Sequence, residues 1–167
     1  MSGAFKDYDQ RLKARQALRK EWTPQLAPSR ESIRKFNQAT DIVQKKKGFG
    51  KMNGADDTVL IKAFASMILP GEAVMEGDIA TIVNQAGLPG TLQSYLQAFK
   101  GEGQLGLAQR QEIYDAMTGL ANRANAENID IRGQMQPDIQ AGGFNPKGLF
   151  RSPLSYKPYQ PPPKGFK

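Results

Sequence analysis

Between residues 53 and 133, apolar residues return every three or four positions, and the breaks in that rhythm fall at Pro, Gly and capping residues. Leu60, Ile61, Phe64, Met67 and Ile68 define a first helix, capped by Asn53 or Asp56 and stopped by Pro70-Gly71. A second starts near Asp78, whose charge suits a helix N-terminus, carries Ile79, Ile82 and Val83, and ends at Gly87. After the turn Leu88-Pro89-Gly90, Thr91 caps a third helix with Leu92, Tyr95, Leu96 and Phe99 on one face, closed by Gly101. The longest pattern runs from about 107 to 131, with Ile113, Met117, Leu120 and Ala124 on one stripe beside Tyr114 and Ala121. No comparable run alternates with period two, so the middle of the chain is expected to be all-α, a small bundle of about four helices.

The flanks differ from this middle. Residues 1–52 are expected to form a basic helical arm. One helix over 7–22 sets Tyr8, Leu12, Arg15, Arg19 and Trp22 at compatible spacings and is broken at Pro24 and Pro28. A second, capped by Ser29, carries Ile33, Phe36 and Ile42 and ends near Gly48. Their apolar stripes are narrow, so both need a partner surface, whether the bundle, another copy or another protein. Residues 134–167 hold seven of the eleven prolines and little helical pattern, which predicts an extended C-terminal arm. That arm also carries Phe144, Leu149, Phe150, Leu154, Tyr156, Tyr159 and Phe166, too many large apolar groups for a solvated linker. Trp22 and Phe36 in the first arm, and Phe144, Phe150, Tyr156 and Tyr159 in the last, are therefore the expected partner-binding residues, docking into grooves of a neighbouring subunit.

Charge follows the same division. Residues 1–52 have 13 basic against 5 acidic side chains, 53–133 have 5 against 10, and 134–167 have 5 against 1, within a net charge of +7. The positive charge thus lies in the arms rather than on the bundle, unlike a compact nucleic-acid-binding domain. Lys45, Lys46 and Lys47 form the densest cluster and are the candidate contact for nucleic acid or an acidic protein surface. The 39% apolar content is low for a chain folded compactly from end to end, no run reaches the length of a membrane span, and the N-terminus lacks the apolar stretch of a signal peptide.

The absence of cysteine and histidine closes disulfides, thiolate metal sites and the usual neutral-pH base, and no cofactor or metal is expected. The acids Asp56, Asp57 and Asp78 fall at helix starts, while Glu72 and Glu76 lie in a joint between helices, so capping and solvation account for them. A carboxylate pair for glycoside cleavage would need two acids across a sugar cleft with separated pKa values.

Residues 54–87, GADDTVLIKAFASMILPGEAVMEGDIATIVNQAG, are followed by LQSYLQAFKGEGQLGLAQRQEIYDAMTGLANRA. Over about 54–124 this resembles a module of tailed-bacteriophage virion proteins, in which a Gly-Ala-Asp helix, a Leu-Pro-Gly joint, an acidic helix start and Tyr…Gly-Glu…Leu…Gln-Arg occur in this order. Here no Asp precedes Pro70, and Met75 stands where the module usually has Arg before the acidic helix. The resemblance implies a non-enzymatic structural component of the virion, of the DNA-ejection, internal, portal-tail junction, tail-tip or baseplate type. Its partners would be other virion proteins and copies of itself, assembled in the host cytoplasm. Two other readings are a DNA-binding or packaging accessory using the basic arms, and a small muralytic enzyme working through Glu72 or Glu76.

Overall fold

The computed structural model describes residues 2–70, 87, 89–150 and 152–161. The second expected helix, with Glu72, Glu76 and Asp78, lies outside the described residues. The rest is an all-helical bundle, with no strand among the described residues. Helix α1 spans Ser2–Lys45, a 3-10 turn covers Phe49–Lys51, α2 spans Gly54–Ile68, α3 Gly90–Glu102, α4 Leu107–Ala141, and a single turn, α5, Pro146–Leu149.

The first arm is one helix, not two. Pro24 and Pro28 sit inside α1. Each lacks the N–H that would bond the carbonyl four residues earlier. Both prolines are exposed, however, so those carbonyls lie on the watered face of the helix while the opposite face stays packed. Ser29, expected as a cap, is buried in the interior of the helix, where its hydroxyl donates to the Leu26 carbonyl. The last helix likewise continues through Gly133 and the exposed Pro137 to Ala141, so the expected start of the extended arm at 134 falls within α4. Met135 and Ile139 hold this extension down; both are buried.

Helices α1 and α4 form the spine. The buried positions of α1 include Trp22, Leu26, Ser29, Ile33, Phe36, Thr40 and Val43, with Ser32 and Ala39 beside them, and those of α4 include Arg110, Tyr114, Met117, Ala121, Ala124 and Asn128. Along the first-named row of α1 and along that of α4 the steps alternate between three and four, the repeat of a coiled-coil seam. Thr40 meets Tyr114 at 2.6 Å and Asn128 donates to Ser29 at 2.9 Å, so the pair is antiparallel. These contacts are two polar layers in an apolar seam. In the Ser29 layer Asn128 also accepts from Arg132 Nε at 2.8 Å, so both of its amide ends are used. A buried polar layer fixes register, because a slipped pairing would strand its donors in apolar surroundings.

Helix α2 packs across this pair and buries Leu60, Ile61, Phe64 and Met67. Its start carries a capping box: Asn53 Oδ1 accepts from Asp56 N–H at 3.1 Å, and Asp56 accepts from Asn53 N–H at 2.9 Å. Asp57, the neighbouring first-turn acid, does something the helix-start reading did not foresee. It is fully buried and takes a fork of Arg110, with Nε to Oδ1 at 2.6 Å and Nη2 to Oδ2 at 2.9 Å. The Leu105 N–H also donates to Asp57 at 2.9 Å, and Arg110 Nη1 donates to the Phe49 carbonyl at 3.0 Å. One ion pair thus ties α2, α4, the loop before α4 and the 3-10 turn together. Hydrogen bonding to Asp57, against the opposing effect of burial, raises the Arg110 pKa further above its already high value.

Helix α3 is closed by Gly103, in the left-handed conformation, rather than Gly101, and its N-cap is Pro89 rather than Thr91. Gly54 and Gly103 touch here: a Cβ on Gly54 would lie 2.6 Å from the Gly103 carbonyl oxygen, so α2 can start against the end of α3 only because position 54 has no side chain.

Candidate interaction surfaces

All six aromatic residues of the expected partner-binding set pack on their own chain, Phe144, Phe150, Tyr156 and Tyr159 only half-buried there. Phe36 is fully buried in the main core, between Tyr114 at 5.3 Å and Tyr156 at 5.1 Å. Trp22 is buried in a second, smaller cluster with Leu26, Met135, Ile139 and Leu149, against which Phe144 and Phe150 pack. The expectation of burial against another subunit took the proline-rich tail to be too irregular to fold back. Gly142 and Gly143 turn the chain after α4, with the Phe144 N–H donating to the Ile139 carbonyl at 3.0 Å, and α5 then drops Leu149 onto the seam. The Trp22 indole N–H is buried there without a hydrogen-bond partner among the described residues.

From Ser152 to Pro161 the chain has no regular structure and lies along α1 as a strap. Arg15 donates to the Gly148 carbonyl just before it, Arg30 to that of Ser152 at 2.8 Å, and Asn37 to that of Ser155 at 2.8 Å. The Tyr159 N–H donates to the Tyr114 hydroxyl at 2.8 Å, and the Tyr159 ring meets Phe49 edge-on at 5.6 Å. The strap therefore runs parallel to α1. Its carbonyls are recognised by side chains, a mode open to a segment without a helix or strand of its own. Burial raises the pKa of Tyr114, offset in part by the Thr40 and Tyr159 hydrogen bonds, and burial raises that of Tyr156 as well.

At the other end of α1 lies an overhang. The Ser29–Asn128 register carries α4 as far as about Arg15, so the first turns of α1 project about 20 Å beyond it at 1.5 Å per residue. Residues 7–14 are exposed throughout. Tyr8 and Leu12, 64% and 40% exposed, continue the seam that buries Trp22 and Leu26. The spacing already places these two residues on the face of Trp22; they are absent from the expected partner-binding set because no local pattern shows that α4 ends short of them.

Of the lysine triplet, Lys46 pairs with Asp56 at 3.0 Å, Lys45 closes α1, and Lys47 adopts φ 56° in the turn after it. The capping hydrogen bond from Asn53 and this lysine leave the Asp56 pKa lowered even though burial, the largest single effect, opposes them. The triplet is thus partly committed to the fold. A second basic feature was not anticipated. Arg19, Arg30, Arg34 and Arg132 line a groove of about 510 Å³ whose floor includes Leu26, Leu149 and Phe150.

Among the described residues, no three His, Cys, Asp or Glu side chains cluster as a metal site, and no helix is long and apolar enough to cross a membrane. No family model matches the chain, and neither a curated protein nor a solved structure matches it.

Proposed function

We propose that the chain is a non-enzymatic structural component of a tailed-phage particle, held to neighbouring virion proteins through the overhanging start of α1. The resemblance of residues 54–124 to the virion module supplies the class of protein. The observation that carries the assembly reading is the seam itself: its three-four spacing runs back through Arg19 and Arg15 and, past the end of α4, reaches Leu12 and Tyr8, which face water. Burying what each still exposes would contribute at most about 1.5–3 kcal/mol, and less for Leu12, which is already more than half covered, a useful increment in an assembly that repeats the contact. The aromatic residues of the C-terminal segment act within the chain in this reading, closing the bundle that the overhang presents.

The test is complementation of a phage lacking this gene with chains carrying Tyr8→Ser and Leu12→Ser. The double variant should stay folded, because neither residue packs in the bundle, yet be missing from purified particles by mass spectrometry. Normal incorporation would remove the overhang from the mechanism. Absence of the unaltered chain from particles would sink the virion reading altogether.

A further inference from the structure

We infer that the arginine groove between α1, α4 and α5 binds the phosphate backbone of single-stranded nucleic acid. The inference goes beyond the assembly reading and does not rest on it.

Arg19, Arg30 and Arg34 project from one side of α1, and Arg132 reaches the same groove from α4. From Arg19 to Arg34 the helix advances about 22 Å at 1.5 Å per residue, long enough for several consecutive phosphates rather than one small anion. Glu31 is the one acid in the lining, and both of its oxygens lie 2.7 Å from Arg34, leaving the groove strongly positive. Two of the guanidinium groups are held by the fold: Arg30 donates to the Ser152 carbonyl and Arg132 to the Asn128 side chain. Burial lowers the Arg132 pKa, and the like charge of Arg30 adds to the effect.

All four cations are arginines, whose planar forks match the paired oxygens of a phosphodiester and are more weakly hydrated than lysine. Phe150 lines the groove and is half-buried, an aromatic side chain of the kind on which bases stack. An acidic peptide would have to bring carboxylates at a spacing suited to these arginines. A nucleic acid strand carries a charge at every nucleotide whatever its sequence, so it meets this row of guanidiniums in any register. That difference favours the strand.

Fluorescence anisotropy with a labelled oligo-dT of about 12 nucleotides tests this, since that length covers one such site. With three or four phosphates contacted, log K should fall against log salt with a slope of about −2 to −3. Arg30→Gln with Arg34→Gln should weaken binding at least about tenfold at low salt and flatten the slope by about 1.4. Arg34→Gln alone guards against a folding artefact, because that side chain is 65% exposed, and should give part of the loss. Glu31→Gln should tighten binding, a gain that damage to the fold cannot mimic. Four results would each overturn the inference: no binding at about 20 mM salt; unchanged affinity in the arginine variants; loss confined to a Lys45, Lys46 and Lys47 to Gln variant; or displacement of the oligonucleotide by a Glu-rich peptide of equal charge at equal concentration, which would make the groove a site for acidic protein.

Discussion

Replacing Asp57 by Ala should be among the most damaging single changes available to this bundle. It leaves Arg110 charged, 4% exposed and without its carboxylate, and it takes the acceptor from the Leu105 N–H. Breaking a buried pair from one side costs about 3–5 kcal/mol. An orphaned buried amide costs about 1–3 kcal/mol, overlapping in part with the first figure. A combined loss of about 4–6 kcal/mol is comparable to the whole stability of many domains. In urea unfolding followed by helical circular dichroism, with a slope of about 2 kcal/mol per molar, the midpoint should drop by about 2–3 M. Asp57→Leu combined with Arg110→Met removes both charges and should recover most of the loss, because a buried pair replaced by apolar groups is often close to neutral. Leu105 N–H and the Phe49 carbonyl remain short of partners, so full recovery is not expected. A single variant within about 1 kcal/mol of the parent would refute the ion pair as a clamp. So would a double variant less stable than the single.

Pro24→Ala and Pro28→Ala should each stabilise the chain by about 1–3 kcal/mol, since a proline inside a helix costs about 3 kcal/mol and both face water; a fall in melting temperature would show that the prolines serve packing instead. Asn128→Ala should cost about 1–3 kcal/mol, measured by denaturant titration, because Ser29 and Arg132 lose a shared buried partner. Alkali should loosen the strap: the raised pKa values of Tyr114 and Tyr156 give stability that is present below about pH 10 and lost as pH rises through their folded values. Tyr114→Phe should reduce that alkaline loss, and a pH profile identical to the parent's would contradict it.

The helices of the bundle were legible because their apolar stripes and caps agree with one another; Asn53, Leu60, Phe64, Met117 and Ala121 could be placed from spacing alone. Pro24, Pro28 and Pro137 misled, since local proline rules ignore what a packed opposite face can hold together, and no local signal says that a proline will face water. The tail misled for a related reason. Its docking depends on side chains more than a hundred positions away, Arg30 with Ser152 and Asn37 with Ser155, which no windowed pattern connects. Asp57 and Arg110 are 53 positions apart, and the first-turn placement of the acid gave a sufficient local explanation that hid the tertiary one. The arginine groove is built from α1 and α4 and lined by the tail, so charge counts along the chain could not show it.

The strap also has a mechanical consequence. It follows α1 in the same direction, from Arg15 to Phe49, and α1 starts about 20 Å before Arg15, so the two ends of the described chain lie about 60 Å apart at 1.5 Å per helical residue. A pull between those ends would load the strap's hydrogen bonds and its tyrosine contacts lengthwise and nearly together, as in a lap joint. A pull from the opposite direction would meet them one after another, as in a peeled tape. The bundle should therefore resist stretching along its long axis far better than lifting of its tail, and single-molecule force experiments with handles at the two poles, compared with handles on the end of the strap and on the neighbouring end of α1, would record that asymmetry.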